Sequence, residues 1–92
     1  KKGRQKRITE LADETRTMVF YESPFRLVKC LQQFAEFWGA ERKVSVSREL
    51  SKLHEENKRG TLAELIEHFG EKQVKGEIVI VVEGKNTKND DE

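Results

Sequence analysis

Residues 78–82 read Ile-Val-Ile-Val-Val, five consecutive β-branched side chains set between Gly76-Glu77 and Glu83-Gly84. Two heavy atoms on Cβ stiffen such side chains and crowd them against a helical turn, whereas a pleated strand accepts them. Both alternating sets are apolar, so the run predicts an inner strand covered on both faces. A chain holding one such strand needs strands beside it and helices over it. The remaining sequence offers both.

Thr17 to Glu22, TMVFYE, is a second compact run of strand formers. Ser23-Pro24 then gives a helix start, a serine N-cap followed by a proline whose φ already suits the first turn. Leu27, Val28, Leu31, Phe34, Ala35 and Trp38 follow on one helical face, and Gly39 stands where a C-cap belongs. KVSVSREL, residues 43–50, alternates Val44 and Val46 against Ser45 and Ser47, a strand with one buried face. Residues 51–60 have no strong period and read as a loop holding at most a short extended piece. Thr61 and Glu64 match a capping box opening a helix that ends near Phe69 and Gly70. Ile8, Leu11 and Ala12 support a short helix from Arg7 to Glu14. The order of elements is that of an α/β layer, a mixed sheet with helices packed on it. Ligands of open α/β sheets gather at strand carboxyl ends, which directs attention to Tyr21–Ser23, Arg48–Leu50 and Glu83–Lys85.

The chain has 92 residues, 35% hydrophobic and 38% charged, room for one small domain with a thin core. A net charge of +1 excludes a polycation, yet the charge is uneven. Lys1, Lys2, Arg4, Lys6 and Arg7 form a basic arm without an acid, suited to phosphate or to simple solvation. Residues 86–92 read as a disordered polar tail. The single cysteine, Cys30, lies on the apolar helix face and forms no internal disulfide, which suits a reducing compartment. With no signal peptide and no membrane-length apolar run, a cytoplasmic location without membrane attachment is expected. The start on Lys1, inside a charged stretch, has the look of a fragment.

Phosphate loops, dinucleotide fingerprints, nucleophile elbows and zinc spacings are all missing, and no metal site is expected. His54 stands in the charged segment beside Glu55 and Glu56; His68 closes a helix, where an imidazole meets the dipole favourably.

Three stretches stand out: FYESPFRL from Phe20, SRELSKLHEENKRGTLAEL from Ser47, and GEIVIVVEGK from Gly76. In this order and spacing, behind the basic KKGRQKR, they resemble the C-terminal domain of the tetrapyrrole methylase family, nearest its branch that methylates small-subunit ribosomal RNA. The likeness runs from Lys1 to Lys85, departing from the family pattern at Phe25, Ser47 and Ser51. It implies a two-domain methyltransferase holding S-adenosyl-L-methionine between the domains. The glycine-rich donor loop would belong to an N-terminal domain absent here. A further helix and strand would precede Lys1, and the open edge left behind would favour a homodimer.

By the same resemblance, Phe20, Tyr21 and Glu22 would lie near the donor's adenosine, and Arg59, Gly60 and Thr61 along the cleft wall. Glu22 is the candidate base for activating an acceptor hydroxyl, its other role being to cap the following helix. Arg26, Arg48, Lys52 and Arg59 would hold phosphates of the small-subunit rRNA, or else pair with Glu49, Glu55 and Glu56. The acceptor implied is a cytidine ribose 2′-hydroxyl. A tetrapyrrole acceptor and a non-catalytic RNA-binding module stay open as alternatives. The 92 residues alone are expected to be inactive.

Overall fold

A computed structural model describes residues 2–51, 54–70 and 74–86. Lys1 and Lys52, expected at phosphates, and the expected polar tail beyond Asn86 lie outside the described residues, as does the side chain of Lys2. The elements run α1 (Lys2–Glu10), β1 (Met18–Glu22), α2 (Leu27–Trp38), β2 (Lys43–Ser51), β3 (His54–Thr61), α3 (Leu62–Phe69) and β4 (Glu77–Val82). Short 3-10 turns occupy Leu11–Asp13 and Pro24–Arg26.

The strands form one sheet in the order β1-β4-β2-β3, with β4 inside as its composition required. The expected α/β class, helices packed on a sheet, is the class found. Strand direction differs from the mixed arrangement, because every neighbouring pair is antiparallel. β1 and β2 do run the same way, as a strand–helix–strand crossover favours. β4 inserts between them in the opposite sense, so no two neighbours are parallel.

The register aligns Glu22, Ile78, Arg48 and Glu56 in one row, and Tyr21, Val79, Ser47 and Asn57 in the next. Alternation then divides the sheet. Met18, Val44, Val46, Ile78, Ile80 and Val82 are buried under the helices with Leu27, Leu31, Phe34, Leu62 and Leu65. The opposite face carries Val19, Tyr21, Val79, Val81, Ser45, Ser47, Asn57 and Arg59, and no described element covers it. The expectation that β4 is covered on both faces is thus corrected. Val79 and Val81 are half-buried, screened only by cross-strand neighbours.

The segment expected as a loop is the second correction, since its residues 54–60 form most of a hairpin partner for β2. As the edge strand, β3 turns Glu56, Lys58 and Gly60 toward the helix side, where no apolar alternation could announce it. Helix α1 also begins earlier than Arg7 and takes most of the basic arm into its turns.

Two junctions fix the helices. Phe34 stacks on Trp38 at 4.2 Å between centroids, Phe20 lies 4.9 Å from Phe34, and Trp38 Nε1 donates to the Ile8 carbonyl at 2.7 Å. Arg42 sits over the Trp38 ring and donates to the carbonyls of Ala12 and Glu83, both at 3.2 Å. The capping box is present: Thr61 Oγ1 accepts from Glu64 N at 3.2 Å, and Glu64 Oε1 accepts from Thr61 N at 2.8 Å. Gly39, with φ of 95°, closes α2 by donating to Ala35.

Candidate functional site

Part of the uncovered sheet face, over β2 and β3, is a shallow concavity of about 610 Å³, lined among others by Lys43, Ser45, Ser47, Asn57, Arg59 and Val81. Its polar groups are ordered. Asn57 Nδ2 donates to Ser47 Oγ at 2.6 Å, and Ser45 Oγ donates to Asn57 Oδ1 at 3.3 Å. Arg59, paired in register with Ser45, is exposed and makes no ion pair among the described residues. Tyr21 stands on the same face with 81% of its surface exposed, paired in register with Val79, while Val81 is paired with Val19. An aromatic ring, an apolar floor, a hydroxyl–amide ladder and a free guanidinium therefore share one surface. Ser45, Ser47 and Asn57 were not among the site residues expected from the sequence, and only the pairing of β2 with β3 brings Asn57 to the two serines.

At the end of β1 the structure assembles a second, tighter group. The Glu22 side chain, 10% exposed, accepts from Arg4 Nη2 at 2.7 Å and from Ser23 N at 3.0 Å. Arg4 Nε also donates to Gln33 Oε1 at 3.1 Å, so one arginine ties α1, β1 and α2 together. Arg26 adds a looser approach of 3.8 Å to Glu22. Burial by itself would raise the Glu22 carboxyl, but the Arg4 and Ser23 hydrogen bonds outweigh it and leave the pKa below the usual carboxylate range. A carboxylate so engaged is a weak proton acceptor. Its present work is to hold two helices to a strand.

The remaining sequence candidates separate. Phe20 turns inward to the aromatic cluster, opposite to Tyr21. Gly60 and Thr61 lie at the far end of the other edge strand, three strand spacings or roughly 14 Å across from β1. The Thr61 hydroxyl is engaged in the capping box, and a Cβ on Gly60 would meet Glu64 Oε1 at 2.6 Å. Arg48 is paired with Glu56 and donates to the Lys75 carbonyl at 3.3 Å. Lys6 and Arg7 are exposed on α1, and Arg26 is half-free at the turn before α2. His68 meets the Phe69 ring edge-on at 4.7 Å, and the His54 side chain lies outside those described. Among the described residues no cluster of three metal-ligating side chains occurs, and no helix is long and apolar enough to cross a membrane.

No family model matches the chain. In fold, it is similar to cobalt precorrin-4 methyltransferase, a cobalamin biosynthetic enzyme, with a TM-score of 0.55 at 22% identity over 83% of this chain and 32% of that one. The fold is that of a tetrapyrrole-methylase-type α/β domain. In sequence, it is 42% identical over its whole length to the Bacillus subtilis (strain 168) protein named ribosomal RNA small subunit methyltransferase I. It is 43% identical over 84 residues to the Thermotoga maritima protein of that name, and 44% identical over 81 residues to the one from Synechocystis. These likenesses make the chain a homologue of the methyltransferases so named. It spans about a third of their length, between 29% and 37%.

Proposed function

We propose that the chain is one lobe of an S-adenosyl-L-methionine-dependent methyltransferase that modifies a cytidine ribose 2′-hydroxyl in small-subunit rRNA. The observation carrying this reading is the sequence kinship along 88–100% of the chain with proteins named for that rRNA. The uncovered sheet face would form one wall of the cleft, and an N-terminal domain of the full-length protein the other.

The donor set on that face suits S-adenosylmethionine. Tyr21 with Val79 and Val81 offers an apolar seat for an adenine. Ser47 and Asn57 offer polar partners for a ribose, and Arg59 offers a cation for the amino-acid carboxylate. When bound, the cofactor supplies an electrophilic methyl group. The residues of this chain supply position: fixing reactants in line contributes roughly 7–11 kcal/mol to such a reaction. The hydrogen-bonded sheet that carries these side chains serves that end. Because Arg4 neutralises Glu22, we assign that carboxylate to positioning rather than to proton abstraction. Lys6, Arg7 and Arg26 are the exposed cations we assign to rRNA phosphates. A homodimer of these 92 residues by themselves belongs to the same proposal, with the outer edge of β1 as its surface.

The test is label transfer from radioactive S-adenosylmethionine by the full-length protein to unmethylated small subunits, large subunits and a tetrapyrrole precursor offered in parallel. Label recovered as ribose-methylated cytidine in the small subunit is expected. Label in the tetrapyrrole would overturn the substrate, and donor binding without transfer to any of them would overturn the activity.

A further inference from the structure

Phe25 occupies the 3-10 turn between β1 and α2 with 94% of its surface exposed. The turn is stiff. Pro24 fixes one φ, Ser23 Oγ accepts from Phe25 N at 3.2 Å, and the Ser23 carbonyl accepts from Arg26 N at 3.0 Å. A ring held so far into water adds nothing to the core, so folding supplies no reason for an aromatic there.

Beside the ring lies an apolar hollow of about 600 Å³, lined by Pro24, Phe25, Val28, Val74 and Lys75 together with Gly70 and Gly76. One cation, Lys75, is in its lining, and two more, Arg26 and Lys29, stand close to Phe25 in sequence. Lys29 stands one helical turn beyond Phe25 and is exposed, as are Lys75 and Arg26. Arg26 reaches only a carboxylate already held by Arg4, and neither Lys29 nor Lys75 makes an ion pair among the described residues. A flat ring on a fixed turn, an apolar hollow and exposed cations together suit one chemistry: a base stacked on the ring while its phosphates meet the cations. Bases inside a duplex are unavailable for that contact.

We propose that Phe25, with Arg26, Lys29 and Lys75, forms a docking site for an unpaired nucleotide of single-stranded RNA, apart from the open sheet face. The site rests on the reading that the protein acts on RNA. It names which part of the RNA is gripped: a base splayed out of the stack, held at the rim of the sheet.

Fluorescence anisotropy of the full-length protein with a fluorescein-labelled single-stranded oligoribonucleotide, and with the corresponding duplex, tests it. Phe25→Ala is expected to weaken single-strand binding by roughly 5- to 150-fold and to leave duplex binding unchanged. Phe25→Trp should keep the affinity and show quenching of the new indole on saturation, against the constant background of buried Trp38. A Phe25→Ala protein that binds the single strand as the wild type does, or an unquenched tryptophan at saturation, overturns the site alone. A wild-type protein that binds neither RNA overturns the RNA reading with it.

Discussion

Arg4 and Glu22, 18 residues apart in sequence, meet at 2.7 Å and close α1 onto the end of β1. The pair is partly buried, so removing one partner leaves the other desolvated and unmatched. Arg4→Ala should therefore cost about 1–3 kcal/mol, seen as a lower urea midpoint. The Glu22 pKa is lower folded than unfolded, so its contribution is present above the ordinary carboxylate pKa of about 4.3 and is lost as pH falls through the folded value. Urea midpoints taken between neutral and strongly acidic pH should fall less steeply for Glu22→Gln than for the wild type. An equally steep fall would remove Glu22 from the acid response.

Gly84 is required by proximity. A Cβ there would lie 2.2 Å from the Thr15 carbonyl carbon and oxygen and 2.6 Å from the Arg16 carbonyl oxygen, all backbone atoms. Gly84→Ala must displace the strand end and the adjacent hydrogen bond from Lys85 N to the Glu14 carbonyl. A loss of about 1–3 kcal/mol in thermal unfolding is expected. Gly3→Ala, in α1 with nothing within 4 Å of the added methyl, should instead be neutral or slightly stabilising.

Glu77, Glu49 and Glu55 fall in one cross-strand row, like charges directly opposite. Glu49→Lys converts both pairings to attractive ones and should add up to about 1 kcal/mol at low salt. The gain should shrink in high salt as screening shortens the reach of exposed charges. A gain that salt leaves unchanged would point to side-chain packing instead.

Burial pushes the Cys30 thiol up to about 11, above the ordinary range. With the side chain 2% exposed, reaction with a chromogenic disulfide at mildly alkaline pH should run roughly a hundredfold slower than in denaturant. Equal rates would mean that α2 opens freely from the core.

The elements with a strong apolar period were legible: α2 from Leu27 to Trp38, the capped α3, and the inner strand β4. The hairpin strand β3 was not, because an edge strand outside the helical cover carries no apolar alternation. The division of the sheet into covered and open faces was also hidden. An IVIVV run looks alike whether its second face meets helices, a partner or water. Of the residues expected at a site, Tyr21 and Arg59 share a surface, though β4 and β2 stand between their strands. Phe20, Gly60 and Thr61 were expected from the family resemblance, and the two-residue strand period turns Phe20 the other way. Arg4 looked like part of a free arm, since nothing local shows that its partner lies in β1.

The one-sided sheet keeps two inheritances apart. On β1, β2 and β4, even-numbered positions face the packed interior and odd-numbered positions face outward. Substitutions at Tyr21, Ser45, Ser47 or Val79 can therefore alter what the surface recognises while every interior neighbour stays in place. A lineage built on this layout is free to explore new substrates by odd-numbered changes, without first having to reinvent a fold.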